Sequence, residues 1–191
     1  MTAADRWDAK YADWHEPGSP SEFVTGHAEL LAECPTAVDL AGGTGGTALW
    51  LAALGIDTTL VEVSGRALEI ARSTAAERGV QLRTVCADLE AEPLPTAAGL
   101  GSERGWHAVV CANFLHRPLL GSLSGLLAPG GIAFVQIATV KNLLINARPG
   151  RPYLVERGEL PGLCGGLEPI SFEEDWFGHR HEARLLAHRP G

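Results

Sequence analysis

Val38-Asp39-Leu40-Ala41-Gly42-Gly43-Thr44-Gly45-Gly46 leads from a short apolar run into a stretch of helix-forming composition, 46–54. A buried strand over 37–40, then glycines, then a helix start lets a ligand approach the backbone closely and meet the first amides of the helix. Two cofactor classes use that geometry. Gly43, Gly45 and Ala48 satisfy the G-x-G-x-x-(G/A) spacing of a dinucleotide-binding turn, and Glu62 follows Gly43 by 19 residues, where a ribose-binding acid is wanted. Asp39 favours the other class. An acid inside an apolar strand end, directly before the glycines, repels a pyrophosphate but tolerates a methionine ammonium or a sulfonium, and burying it unmatched is costly. The plainer reading has Asp39 accept hydrogen bonds from the amides of its own turn.

Downstream, apolar runs alternate with helical stretches: strand 58–63, helix 66–78, strand 81–86, strand 107–111, helix 118–127 and strand 131–138. Such alternation predicts an α/β fold with a doubly wound, mostly parallel sheet covered on both faces. Residues 90–105 carry proline and glycine and read as an irregular connection. Upstream, Trp7, Tyr11 and Trp14 fall at i, i+4 and i+7, which predicts a helix over 5–14. Ser19-Pro20-Ser21-Glu22 reads as the capped start of a second helix over 23–33, with Ser19 as N-cap. Past Thr139 the pattern gives a loop around 148–152, a helix over 155–163 and two last strands, 167–172 and 181–188, completing a seven-stranded Rossmann-like sheet behind two N-terminal helices. A chain of 191 residues suits one domain, here 1–34 as a helical lid and 35–191 as an α/β core.

With apolar residues at 46% and charged residues at 20%, the chain falls outside the disordered and fibrous classes. A formal charge of −8 argues against a protein whose main work is gripping phosphate backbones, so extended nucleic-acid binding is not expected. Cys34, Cys86, Cys111 and Cys164 are far apart and form no C-x-x-C pair, so neither a zinc site nor a disulfide framework is expected. His179 and His181 alternate, but no further ligand lies at a metal-binding spacing, and a half-exposed strand explains them; no metal is expected. Residues 1–10 are polar and charged, unlike a signal peptide, and no apolar run reaches the roughly 20 residues a spanning helix needs. A cytoplasmic location without membrane contact is the expectation.

In its glycine turn the chain resembles the class I S-adenosylmethionine-dependent methyltransferases, whose first motif places an acid before alternating glycines: Asp39, Gly43 and Gly45 match it, with Ala41 at the usual first glycine and Gly42 after it. The resemblance continues in order. Val61-Glu62-Val63-Ser64 looks like the second motif, whose acid binds both ribose hydroxyls, and Cys86-Ala87-Asp88-Leu89 the third, where the acid meets the adenine amino group and the next backbone amide meets the ring. Residues 109–114, with Asn113 at the strand end, are similar to the fourth, and Leu127-Ala128-Pro129-Gly130-Gly131 to the turn before strand five. The resemblance thus implies S-adenosylmethionine as cofactor and Asp39, Ala41, Gly43, Gly45, Glu62, Val63, Asp88, Leu89 and Asn113 as its binding residues. Trp7-Asp8-Ala9-Lys10-Tyr11, Leu115-His116-Arg117-Pro118-Leu119 and 148–160 further resemble small bacterial enzymes of a tellurite-resistance-like subgroup. Those relatives often carry an acid at the end of strand five, where this chain has Gln136-Ile137-Ala138-Thr139.

Methyl transfer from a sulfonium expels a neutral leaving group, so alignment and desolvation can carry most of the catalysis. Asn113 and His116, beyond strand four at the carboxyl edge of the sheet, are the candidates to border the methyl group, and His116 can take a proton near neutral pH. The alternative reading has His116 simply start a helix, with no chemical role. Trp7 and Tyr11, with Trp14, are candidates for an aromatic lid facing the sulfonium, the alternative being a helix that packs its aromatic face on the sheet. Residues 111–114 lack the paired prolines seen in enzymes that methylate exocyclic base nitrogens, which with the acidic charge points to a small-molecule acceptor. An NAD(P)-dependent oxidoreductase and a non-catalytic S-adenosylmethionine-binding module are the competing functions.

Overall fold

A computed structural model describes residues 2–91 and 93–191. Its seven-stranded sheet runs in the order β3-β2-β1-β4-β5-β7-β6. The strands are β1 (Thr36–Leu40), β2 (Asp57–Glu62), β3 (Leu82–Cys86), β4 (Trp106–Ala112), β5 (Leu127–Ala138), β6 (Glu168–Phe177) and β7 (Arg180–His188). The first five pair in parallel, and β7 enters antiparallel between β5 and β6. Strands buried on both faces need continuous apolar runs, and Ala37, Val38, Leu40, Ala108, Val109, Val110 and Cys111 are all fully buried. The order reverses between β1 and β4, where Leu40 faces Val61 on one side and Cys111 on the other. The crevice beyond the carboxyl ends of these strands is the place where open α/β sheets bind ligands.

Alternate residues of the same strands build two cores. On one face Val38, Val109, Val135 and Leu185 meet Leu119, Leu120 and Leu123 of α6 (Arg117–Ser122) and the 3-10 turn after it. On the other, Ala37, Val110, Phe134 and Leu186 meet Phe23, Leu31 and Leu51 from α2 (Glu22–Thr25), α3 (Ala28–Ala32) and α4 (Gly46–Ala53). A third cluster, Ala48, Leu60, Leu68 and Ala71, fastens α4 and α5 (Gly65–Arg78) to β2. The expected doubly wound sheet is therefore present, with its glycine turn between β1 and α4.

Several boundaries differ from the sequence reading. Helix α1 spans Ala3–Tyr11 instead of 5–14, because Thr2 and Asp5 form a reciprocal capping box and the Trp14 N–H closes the helix by donating to the Tyr11 carbonyl. The helix expected over 23–33 divides into α2 and α3. Ser21, not Ser19, is its N-cap, and the His27 ring lies 2.8 Å from the Phe23 carbonyl oxygen while packing edge-on against Phe23 and Phe134. That contact holds His27 outside helical geometry. The helix expected over 118–127 yields to a 3-10 turn after Ser122, and that over 155–163 shrinks to α7 (Leu160–Leu163). β5 begins at Leu127 and takes in the Ala128-Pro129-Gly130-Gly131 segment read as a turn, with a register shift opposite Trp106 and Ala108. β6 continues to Phe177, past Phe172, through acidic residues that suit a solvated edge strand. His179 sits in the β6–β7 turn and His181 is fully buried in β7, so no half-exposed strand carries both. Among the described residues no helix is long and apolar enough to cross a membrane, and no cluster of three potential metal ligands occurs.

Candidate active site

The glycine turn is built by close approach. A Cβ on Gly42 would collide with Asp39 Oδ2 and Leu60 Cδ1, and one on Gly46 with the carbonyl oxygen of Gly18. Gly43 and Gly45 take φ of +58° and +81°, and Ala41 holds +51°, a left-handed conformation that costs an L side chain about 1–2 kcal/mol. Such strain persists where surrounding structure imposes it, commonly at binding sites. Asp39 is buried beneath Gly42 and its Oδ2 has no hydrogen-bond partner. Burial pushes its carboxyl up to about 7, the Ala48 amide pulling it back and the Glu62 charge adding to the rise. An amide of α4 thus satisfies part of Asp39 and leaves Oδ2 without a partner.

Glu62, at the end of β2, is also buried. Its Oε2 accepts from the Gly43 N–H at 2.9 Å, and its Oε1 accepts from the amides of Val63 at 2.8 Å and Ser64 at 2.9 Å. Three backbone donors fix the carboxylate, and one acid ties the glycine turn to the start of α5. This scaffolding role was not legible in the sequence.

Helix α1 closes over the turn. Tyr11 is buried, and a Cβ on Gly43 would lie 2.7 Å from its hydroxyl oxygen. Burial, reinforced by Glu62, raises the phenol to about 12, so it is protonated at neutral pH. The Lys10 ammonium lies 4.2 Å from the Trp7 ring centroid and 5.2 Å from that of Tyr11, with burial lowering its basicity and Glu62 opposing that shift. Asp8 latches the helix, accepting from Ser64 Oγ at 2.6 Å and the Arg66 amide at 3.1 Å, which holds its carboxyl below the usual range. A strap follows: the amides of Gly18 and Ser21 donate to the hydroxyls of Thr44 and Thr47.

Three cavities meet above this floor. The largest, about 430 Å³, runs from Asp39, Gly42 and Gly43 past Lys10 to Gln136, Glu182 and Arg184. A narrow one of about 50 Å³ lies among Glu62, Val63, Ala87, Asp88 and Leu89. A third, about 310 Å³, is lined by Phe114, Leu115, Ile137 and Tyr153 among others. Trp7 and Asn113 are the two residues lining all three, while Tyr11 and Ala41 line the first two. Asn113 has φ of +63°, tolerable for asparagine, and its N–H donates to the Gln136 carbonyl at 2.7 Å. Gly45 lies outside these linings, below the turn, against Leu60 and Ala71. His116 is on none of the three walls. It is the N-cap residue of α6 without a capping bond, its Nδ1 is buried without a partner, and its ring leans on Phe114 at 6.5 Å. The structure thus gathers Trp7, Tyr11, Asp39, Ala41, Gly43, Glu62, Val63, Asp88, Leu89 and Asn113 around the crevice and leaves His116 behind it.

One polar group was missed. Ser21 Oγ donates to Gln136 Oε1 at 2.6 Å, Gln136 Nε2 donates to Glu182 Oε2 at 2.7 Å, and Arg184 pairs with the same carboxylate at 2.9 Å. Phe177 stacks 3.4 Å from the Arg184 guanidinium. In the antiparallel β5–β7 register Gln136 sits opposite Arg184 and Ala138 opposite Glu182, which brings the Glu182 carboxylate to the end of β5. A glutamine in an otherwise apolar strand was the available signal; the β7 pairing that completes it was not.

Residues 37–131 match a family model described as a methyltransferase domain. The chain carries a methyltransferase domain over 37–131. A methyltransferase domain on this segment accords with the sulfonium reading of the glycine turn over the dinucleotide one. Solved structures share the fold of this methyltransferase over nearly its whole length. One, from work on conversion of a disulfide bond into a thioacetal group during echinomycin biosynthesis, is 19% identical over 99% of this chain and 92% of that chain, with a TM-score of 0.77. The CcbJ methyltransferase from Streptomyces caelestis is 18% identical over 100% and 99% of the two chains, at 0.72. Magnesium protoporphyrin IX methyltransferase from Synechocystis PCC 6803, solved with bound S-adenosylhomocysteine, is 18% identical over 97% and 93%, at 0.62. No curated protein sequence matches the chain.

Proposed function

We propose that this enzyme methylates a small molecule held beside Asn113, with the cofactor's methionine end on the glycine turn and its adenosine end toward Asp88. The observation that carries the reading is that Asn113 and Trp7 alone line all three cavities, which makes their junction the natural position of the transferred group. When bound, the cofactor supplies an electrophilic methyl group on a sulfonium. The chain's residues are suited to holding it: the unpartnered Asp39 Oδ2 offers negative charge beneath the turn, Glu62 presents a carboxylate already fixed by three amides, and Val63 and Leu89 give apolar contact to a base near Asp88. Ala41, Gly43 and Gly45 bring the backbone close. Tyr11 and Trp7 cover the site and exclude water, which strengthens every charge interaction beneath them.

The narrow cavity among Val63, Ala87, Asp88 and Leu89 is the place for the adenine end, with α1 along one side through Ala3, Trp7 and Tyr11. Acceptance of a small molecule fits the apolar third cavity and the net charge of −8, which does not favour a polyanion. The tellurite-resistance-like subgroup and a cytoplasmic location belong to the same proposal, the latter supported by four free cysteines. Asn113 is assigned the place beside the methyl group, and His116, off the cavity walls, a supporting place at the start of α6. With an acceptor found by screening for S-adenosylhomocysteine release, Asn113→Ala is expected to lower turnover at least tenfold and His116→Ala less than that. Equal losses in both variants, or none in Asn113→Ala, would refute the assignment.

A further inference from the structure

The third cavity has a composition of its own. Phe114, Leu115, Ile137, Pro149 and Tyr153 give it an apolar and aromatic body of about 310 Å³, at the lower end of the ~300–1,000 Å³ typical of ligand pockets. Among the described residues its charged wall residues are Arg6, Arg180 and Glu90, two cations against one anion, a net of +1 in a chain that totals −8. The local sign is therefore the reverse of the global one. Arg6 is exposed and makes no ion pair among the described residues, and its nearest noted contact is the Trp7 ring at 6.0 Å. The Arg180 side chain is 39% exposed and pairs loosely with Glu182 Oε1 at 3.8 Å, a carboxylate whose Oε2 is engaged by Gln136 and Arg184, and its guanidinium makes no hydrogen bond among the described residues.

We propose that the methyl acceptor is an apolar organic anion: a compact hydrophobic body seated against Phe114, Ile137 and Tyr153, with a carboxylate or similar anionic group engaged by Arg6 and Arg180. This rests on the reading that the third cavity is the acceptor site. Guanidinium groups bind planar oxyanions in two-pronged geometry, and a cation pair beside an apolar wall discriminates against neutral analogues, which leave those donors unmatched. The cavity adjoins the cofactor site only through Trp7, Glu90, Asn113 and Phe114, so the arginines can be changed without touching the glycine turn.

The test uses the full chain saturated with S-adenosylhomocysteine and titrated with three probes of one length: octanoate, octanamide and octylamine. Octanoate is expected to bind at least tenfold more tightly than octanamide, with octylamine weakest. In Arg6→Gln/Arg180→Gln the preference for octanoate falls to threefold or less while affinity for S-adenosylhomocysteine is unchanged, and Arg180→Glu shifts the preference toward octylamine. Equal binding of octanoate and octanamide, or an octanoate preference that survives the double substitution, overturns the proposal. Failure of S-adenosylhomocysteine itself to bind would instead refute the cofactor placement on which it rests.

Discussion

Asp39 and Ala41 show how much the site depends on single residues. A carboxyl raised to about 7 from an ordinary 3.8 means that the folded state binds a proton more tightly than the unfolded chain between those values. Asp39 therefore contributes a stability that is lost as pH rises from about 4 toward 7, and the ionised form that appears near 7 attracts a sulfonium. The ratio of S-adenosylmethionine to S-adenosylhomocysteine affinity, measured by titration from pH 6 to 8, is expected to rise with pH and to flatten in Asp39→Asn. A pH-independent ratio in the native chain would show that Asp39 does not sense the charge. At Ala41, the left-handed φ predicts that Ala41→Gly stabilises the fold by about 0.5–1 kcal/mol, relief of strain outweighing the added freedom of the unfolded chain. Gly42→Ala, forced against Asp39 and Leu60, should cost about 1–3 kcal/mol in the same denaturant series. The positions of Asp39, Glu62 and Asn113 were legible in the sequence because strand ends and spacing announce them. The three-amide cradle of Glu62 was not, since it depends on where Gly43 and Ser64 meet in space.

Among the elements, the sheet was more legible than the helices. Buried parallel strands reveal themselves as apolar runs, so β1, β2, β3 and β4 fall within a residue or so of their expected limits. Helix boundaries turn on contacts between distant residues: His27 leaves the α2 axis because its ring fits between Phe23 and Phe134, a partner in β5. β6 was cut short for the opposite reason, its exposure removing the alternation that marks a half-buried strand. Helix α1 combines both kinds of information. Its aromatic spacing was plain, but its latch, Asp8 on Ser64 and Arg66, joins it to a helix far along the chain. As a cover for the cofactor it should matter to affinity. Deleting 1–17 is expected to weaken S-adenosylhomocysteine binding at least tenfold, ~1.4 kcal/mol, without loss of the cooperative melting transition. Unchanged affinity in the folded truncation would reduce α1 to packing.

For the whole molecule, the order β3-β2-β1-β4-β5-β7-β6 gathers at one edge what the chain keeps far apart: Trp7 and Tyr11 from the N-terminal helix, Asp39 and Glu62 from adjacent strand ends, Asn113 across the switch point, and Glu182 and Arg184 from β7. The parallel half of the sheet carries the glycine turn and Glu62, and the antiparallel addition brings Glu182 and Arg184 to the first cavity and Arg180 to the third. The central claim, that Glu62 and the glycine turn hold S-adenosylmethionine, is tested most directly by calorimetric titration of S-adenosylmethionine, S-adenosylhomocysteine and NAD into the native chain and into Glu62→Gln. The account predicts binding of the first two and not of NAD, weakened about tenfold to a hundredfold in the variant, or ~1.5–3 kcal/mol for a charged acceptor lost. Binding of NAD in preference to both, or affinities indifferent to the Glu62 substitution in a folded variant, would contradict it.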